Sequence, residues 1–127
     1  MIRSIGVDLA SIPRVRALIA SQAQGFLDRL FTKDEQASCA DKLDPAPQFA
    51  ARLAAKEATM KALGAGTAEG VGWREIEVQG GGKTAPALSL SGGAAARADS
   101  LGITRLHLSL SHEGDSAIAF VVAEGTD

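Results

Sequence analysis

The stretch Arg52–Gly64, which reads RLAAKEATMKALG, is the part of this chain that most constrains its fold. Its alanine, leucine, methionine, lysine and glutamate residues are strong helix formers, and Gly64 is a typical residue at a helix end. Glu57 and Lys61 share one helix face, a spacing that commonly gives an ordinary surface ion pair. The alanines around Glu57 leave a smooth surface for close packing. The stretch alone therefore leaves open whether Glu57 is a surface charge or a functional acid.

The whole chain has 127 residues and a formal net charge of −2, with one cysteine and two histidines. This length is typical of a single domain covering residues 1–127. The charge argues against a broad basic surface for nucleic acid, and one cysteine excludes zinc sites built from cysteine clusters. Two histidines argue against a histidine-rich metal site. Any metal is therefore expected to be a hard ion on carboxylates. No segment resembles a signal peptide or a membrane span, so we expect a cytoplasmic protein with no membrane partner.

The hydrophobic pattern predicts an α+β fold, with helices in the first half packed on an antiparallel sheet. The first helix is expected to start at Ser11 and to reach about Gln22, with an interruption at Gly25. Thr32 and Glu35 have capping-box spacing, which starts a second helix that runs to about Leu43. The other predicted elements are helices at 48–63 and 92–102 and strands at 2–9, 74–79, 86–91, 105–112 and 117–124.

Asp8 lies at the end of an apolar strand, where an acid costs free energy unless it is solvated, paired or bound to a metal. It is either the start of a loop or one half of a functional site. Asp8 and Glu57 together have the donor chemistry of a Mg²⁺ site, because Mg²⁺ takes one or two protein carboxylates and fills its remaining positions with water and phosphate oxygens. Lys56 and Lys61 are then candidate phosphate contacts.

Other polar segments fit catalytic motifs poorly. SLSHEGDS places His112 at a strand end, but no G-x-S-x-G turn supports a serine hydrolase. The glycine-rich GAGTAEGVG lacks the lysine and serine or threonine of a P-loop and follows a helix. His107 is expected to face outward from its strand, and Cys39 to be a partly buried small residue.

Three segments resemble one family: IGVDLASIPRV at 5–15, FAARLAAKEATMKALG at 49–64 and LSLSH at 108–112. They resemble the holo-acyl-carrier-protein synthases, the short single-domain branch of the 4′-phosphopantetheinyl transferases. That family's hallmarks are a G-[IV]-D strand end and a [WF]-x-x-K-E-[AS]-x-x-K helix. The order and separation of the segments fit the family over essentially the whole chain.

The resemblance implies transfer of 4′-phosphopantetheine from coenzyme A to a serine of an acidic acyl carrier protein, with release of 3′,5′-ADP, in fatty-acid or polyketide synthesis. It implies Mg²⁺ on Asp8 and Glu57 and catalytic roles for Asp8, Glu57 and Lys61, with the carrier supplying the nucleophile. Either Glu57 or a water on the metal accepts the serine proton. It also implies a trimer with sites between subunits. Coenzyme A contacts are implied for Lys56, Lys61, Gly64 and His112, and a carrier contact for Arg14.

The chain departs from the family pattern at three places. Leu53 replaces an aromatic residue, and Pro86 stands a few residues beyond the turn where the family has G-x-P. The second half of the first helix lacks basic residues, which leaves Arg14, Arg16 and Arg29 for a carrier. Three other functions remain open from the residues alone: a non-catalytic coenzyme A or nucleotide-binding module, a Mg²⁺-dependent diphosphate hydrolase, and a purely structural trimer.

Overall fold

The computed structural model describes residues 1–126, without the side chain of Ala23, and shows an α+β fold. The predicted fold class is therefore confirmed. In chain order the elements are β1 (Ile2–Ser11), α1 (Ile12–Leu30), α2 (Lys33–Ala40), α3 (Ala46–Leu63), β2 (Ile76–Gln79), β3 (Ala87–Leu90), α4 (Gly92–Ser100), β4 (Arg105–Glu113) and β5 (Ser116–Glu124). Two single 3₁₀ turns, Thr67–Glu69 and Trp73–Glu75, lie between α3 and β2.

The strands form two antiparallel sheets and not the one sheet that was predicted. One sheet has the order β1-β5-β4, and β2 pairs with β3 in the other. In the larger sheet β5 is central and alternates strictly, because Ala117, Ala119, Val121 and Ala123 are buried while Ile118 and Phe120 are exposed. The buried face of this sheet packs on α3, which places that helix in the middle of the hydrophobic core.

The contact between β1 and α3 is a backbone contact. A Cβ atom added at Gly6 would lie 1.9 Å from the carbonyl oxygen of Ala58, so only glycine fits there. Ala54, Ala55 and Ala58 of α3 are fully buried, and their small side chains permit this approach. Ser4 adds a hydrogen bond of 2.6 Å from its hydroxyl to the carbonyl of Ala62. The Gly6-Val7-Asp8 segment of β1 and helix α3 are therefore in direct contact next to Asp8.

Two predicted helix boundaries were wrong. The first helix, α1, runs without a break through Gly25 to Leu30, because Val15, Phe26 and Leu30 are buried and hold its whole length on the core. Tertiary packing outweighs the helix cost of one glycine, which is about 1 kcal/mol. Helix α2 starts with the predicted capping box but ends at Ala40, because the next residues leave helical geometry before the proline-containing loop.

The opposite face of the larger sheet is apolar and exposed. Ile5, Val7 and Leu9 of β1 stand beside Ile118 and Phe120 of β5, with exposed fractions from 38% to 64%. We call these five residues the outer apolar face. His107 lies on the same side of β4, as predicted, and pairs with Glu124 at 3.0 Å. Cys39 is fully buried, more than was expected. Within residues 1–126 we find no helix with both the length and the hydropathy needed to cross a membrane.

Candidate active site

Asp8, Glu57 and Lys61 come together where β1 passes α3. Strand β1 continues to Ser11, so the prediction that Asp8 ends the strand was wrong. Asp8 pairs with buried Ala119 on β5, so its side chain lies on the face of the sheet that packs on α3. Lys61 Nζ donates to Asp8 Oδ1 at 3.0 Å and to the carbonyl of Val7 at 3.1 Å. The Asp8 side chain is 15% exposed and that of Lys61 is 59% exposed. The structure therefore pairs Lys61 with Asp8 across two elements, and Glu57 is not part of a simple helical Glu57–Lys61 ion pair.

The two carboxyl groups influence each other's protonation. Burial, together with the nearby Asp8 carboxyl and its charge, raises the pKa of Glu57 to about 7. Burial acts to raise the pKa of Asp8 too, but the neighbouring Glu57 side chain, the hydrogen bond from Lys61 and the lysine charge hold that pKa below its usual value. Below about pH 7 one proton is therefore held on the Glu57 side of the pair.

This pair fits a divalent cation. The atom Asp8 Oδ2 is buried and has no hydrogen-bond partner. An orphaned, buried carboxylate oxygen next to a second acid is the environment that a cation stabilises. The described residues hold no group of three or more His, Cys, Asp and Glu side chains suited to a metal. A two-carboxylate site is thus the arrangement that this part of the chain offers, and it suits Mg²⁺ better than Zn²⁺.

A cavity of about 420 Å³ opens beside Glu57, between α1 and α3. Arg14 and Trp73 contribute to its wall along with Glu57. Its apolar lining includes Leu18, Phe26, Leu30 and Leu53. The predicted carrier contact, Arg14, therefore lies at the same cavity as the predicted metal ligand Glu57. Leu53, the residue that replaces an aromatic ring, forms part of that wall.

The structure does not support a coenzyme contact for Lys56. This side chain is fully buried, and its ammonium group donates to Glu35 Oε1 at 2.7 Å and to the carbonyls of Trp73 and Ile76. All three of its donors are used inside the protein. The prediction placed Lys56 at the site because it precedes Glu57, but one step along a helix turns a side chain by about 100° and points it to another face.

His112 lies apart from Asp8 and Glu57, in a cavity of about 140 Å³ that it shares with Ser111 and Arg52. Arg52 is only 7% exposed, and its Nε atom has no hydrogen-bond partner. Its other nitrogens donate to the carbonyls of Gln48 and Gly80. A guanidinium that lines a cavity beside a histidine is suited to an anion. The sequence analysis missed Arg52, although it is the one charged residue in the first two turns of α3.

Gly64 and Lys61 share a further cavity of about 400 Å³ with Arg3 and Arg97. Gly64 ends α3 in the left-handed conformation, at φ 63°, and Arg97 Nε donates to the carbonyl of Leu63 beside it. Two of the predicted coenzyme residues therefore line one cation-rich cavity. Pro86 packs against Gly81, whose backbone borders the cavity of Arg52 and His112.

Known proteins are similar to this chain along most of its length. The 4′-phosphopantetheinyl transferase superfamily matches residues 4–121. A holo-[acyl-carrier-protein] synthase from Anaeromyxobacter dehalogenans is 45% identical over 99% of this chain and 98% of that protein. One from Syntrophotalea carbinolica is 46% identical over 95% of this chain and 94% of that protein.

Solved structures show the same fold. The synthase from Neisseria meningitidis has a TM-score of 0.85 at 36% identity and covers 98% of this chain and 99% of its own. The Helicobacter pylori synthase, solved in complex with coenzyme A, has a TM-score of 0.82 at 32% identity and covers 94% and 99%. The resemblance inferred from three short segments is therefore confirmed over the full length, and this chain belongs to the 4′-phosphopantetheinyl transferase superfamily.

Proposed function

We propose that this protein transfers 4′-phosphopantetheine from coenzyme A to a serine of an apo acyl carrier protein and releases 3′,5′-ADP. The observation that carries the proposal is the convergence of Asp8, Glu57 and Lys61 at the contact of β1 with α3. These three side chains provide two carboxylates for a metal ion and a cation for the phosphates of a diphosphate substrate. The serine of the carrier supplies the nucleophile in this reaction.

Asp8 and Glu57 are the residues that would hold Mg²⁺, which when bound neutralises phosphate charge and polarises the attacked phosphorus. Lys61 reaches the same point from one turn further along α3 and stabilises charge on the phosphate oxygens. Lys61 also fixes Asp8, because it holds both Oδ1 and the neighbouring Val7 carbonyl. Either Glu57 or a water on the metal would accept the serine proton.

Coenzyme A is proposed to bind at two places on the chain that are lined by basic side chains. Lys61 and Gly64 border one, and Arg52 with His112 forms the other. Glu57 and His112 line different cavities, although both are proposed to serve one substrate. We therefore propose that the coenzyme lies between two copies of the chain, with Glu57 from one subunit and His112 from the next.

The outer apolar face supports a trimer. Five neighbouring apolar side chains on one sheet face, each more than a third exposed, form a contiguous patch of the kind that marks protein interfaces. Covering this face with further copies of the chain also suits a small domain, which buries a limited fraction of its own surface. The trimer, the Mg²⁺ dependence and the cytoplasmic location stay predictions.

Arg14 is proposed to meet an acidic carrier protein. It lies at the mouth of the cavity that contains Glu57, so that a carrier held there presents its serine next to the site. A single exposed arginine contributes mainly to encounter and orientation, and its effect weakens as salt rises. We propose fatty-acid or polyketide carriers as the partners.

Intact-protein mass spectrometry of an apo acyl carrier protein tests the function. The carrier is incubated with this protein, coenzyme A and Mg²⁺, and parallel samples contain EDTA or the Glu57→Ala variant. The expected result is a gain of one phosphopantetheine that is lost in both parallel samples. Asp34→Ala, which removes an exposed acid from the first turn of α2, is the matched control and should retain the transfer.

Measurements of coenzyme A binding and of coenzyme A breakdown, made beside the mass spectrometry, separate the alternatives. Binding of coenzyme A without modification of several fatty-acid and polyketide carriers indicates a non-catalytic binding module. Breakdown of coenzyme A without a carrier indicates a diphosphate hydrolase. An absence of any coenzyme binding leaves a structural trimer and contradicts the proposal.

A further inference from the structure

Lys56 and Glu35 form a fully buried ion pair that the proposed chemistry does not use. Their N–O distance is 2.7 Å and both side chains have no exposed surface. The ammonium group also lies 5.5 Å from the centre of the Phe31 ring. Burying two charges costs free energy that the pair must recover through good geometry and further hydrogen bonds. The pair therefore needs an explanation other than chance.

The further hydrogen bonds connect four segments of the chain. Glu35 accepts from the backbone nitrogen of Thr32 at 2.9 Å and from that of Val78 at 2.9 Å. Lys56 donates to the carbonyls of Trp73 and Ile76. The start of α2, the middle of α3, the 3₁₀ turn Trp73–Glu75 and β2 are thus held at one point.

This point lies directly behind the proposed active site. Lys56 immediately precedes Glu57 on α3, and the carbonyl that it holds belongs to Trp73. The side chains of Glu57 and Trp73 line the same cavity. Glu57 belongs to α3 and Trp73 to the 3₁₀ turn. Lys56 joins these two elements directly, because its side chain extends from α3 and donates to the carbonyl of Trp73.

We propose that Lys56 is a positioning residue, which holds the Trp73–Ile76 backbone against α3 and thereby fixes Glu57 relative to Trp73 across the cavity. The activity part of this inference rests on the proposed function. Lys56 itself touches no substrate. Its effect passes through the two carbonyls, while the charge of Glu35 balances the buried ammonium group.

A purely structural ion pair would act differently. If the pair served only stability, removing both charges together would leave the site unaffected, since a neutral pair leaves no unbalanced charge. If Lys56 positions the site, removing its contacts to the carbonyls must alter the site even after the charge of Glu35 has also been removed. The two cases separate when Glu35→Gln is compared with Glu35→Gln/Lys56→Met.

Glu35→Gln is the comparison variant: it leaves the buried ammonium group without its counter-charge and so should lose stability, but it keeps both contacts of Lys56 to the carbonyls. The double variant loses those contacts as well. Trp73 is the only tryptophan, so quenching of its fluorescence by acrylamide reports the packing of this wall without any assay of activity. Binding of Mg²⁺ is followed by the shift that it causes in melting temperature, and kcat and KM are measured with an apo carrier.

The single variant should keep quenching, Mg²⁺ affinity and kcat within about threefold of the unsubstituted protein. The double variant should show stronger quenching of Trp73, weaker Mg²⁺ binding and a kcat lower by about tenfold to a hundredfold, as expected for a misplaced site. A folded double variant that matches Glu35→Gln in all three would overturn the proposal.

Two further outcomes are decisive. If the double variant does not fold, Glu35→Gln/Lys56→Gln is used, since the amide of the glutamine at position 56 retains hydrogen-bond donors. If neither double variant folds, Lys56 is required for folding and the positioning role is refuted. If the unsubstituted protein shows no transfer at all, the proposed function fails by itself. The quenching comparison still tests the position of Trp73 in that case.

Discussion

Replacement of Glu57 by glutamine should stabilise the metal-free protein at alkaline pH while it abolishes activity. The pKa of Glu57 rises from 4.5 to about 7 in the folded protein. The folded state therefore binds more protons than the unfolded state between these values, and stability falls as pH rises through that window. The full penalty is present above pH 7 and absent below about pH 4.5. Glutamine carries no charge and does not pay this penalty.

The shift gives an upper limit of roughly 3.5 kcal/mol, at about 1.4 kcal/mol per pKa unit. Glu57 is only half-buried and titrates together with Asp8, so solvent screening reduces this to about 1–2 kcal/mol. In EDTA at pH 8.5 we therefore expect Glu57→Gln to be more stable by about 1–2 kcal/mol, and the difference to vanish near pH 4.5.

Urea unfolding followed by Trp73 fluorescence, at one protein concentration, measures this difference. Glu113→Gln, which neutralises an exposed glutamate at the end of β4, is the control and should show no such pH-dependent gain. Added Mg²⁺ should stabilise the unsubstituted protein and have little effect on Glu57→Gln. A glutamine variant that is equally or less stable at pH 8.5 in EDTA would show that Asp8 and Glu57 do not destabilise each other, and the argument for a cation site would fail.

Three other predictions follow from the packing and the charges. Gly6→Ala should destabilise the protein by about 2–4 kcal/mol in urea unfolding, because the new Cβ atom meets the Ala58 carbonyl. The control Gly25→Ala adds a Cβ atom that meets nothing within 4 Å and should stabilise the protein by about 0.5–1 kcal/mol. Equal effects of the two substitutions would contradict the close contact at Gly6. Arg52→Met should weaken coenzyme A binding about 10–100-fold in calorimetry; unchanged affinity would remove Arg52 from the coenzyme site. Phe120→Lys should convert the proposed trimer to monomers in sedimentation experiments, and a persistent trimer would place the interface elsewhere.

The sequence was sufficient for most of the fold because local signals and tertiary packing agree. The capping box at Thr32 and Glu35 forms as predicted, and Gly64 ends α3 as its position suggested. Gly25 misled the prediction because the buried side chains that carry α1 past it contact distant parts of the chain. The hydrophobic pattern could not predict the division into two sheets, since alternation of apolar and polar residues identifies a strand but not the strands that pair with it.

The site was partly predictable for similar reasons. The resemblance of their motifs predicted that Asp8 and Glu57 act together, and the structure places the two carboxyls close enough to influence each other's pKa. Their roles in binding Mg²⁺ stay predictions. The position of Lys56 could not be read from the sequence, because its partner Glu35 lies on another helix. Arg52 was hard to identify from the sequence, since a charged residue in the first turns of an alanine-rich helix can either face solvent or bind an anion at a buried site.

The backbone contact between Gly6 and Ala58 has a consequence for how the protein responds to heat. Side chains in a core change rotamers and loosen as temperature rises, but a strand and a helix that touch through their main chains have no flexible group between them. The spacing of Asp8 and Glu57 should then stay constant until the strand and the helix separate altogether. Catalytic rate should rise normally with temperature and stop abruptly at the unfolding transition, without a gradual decline before it.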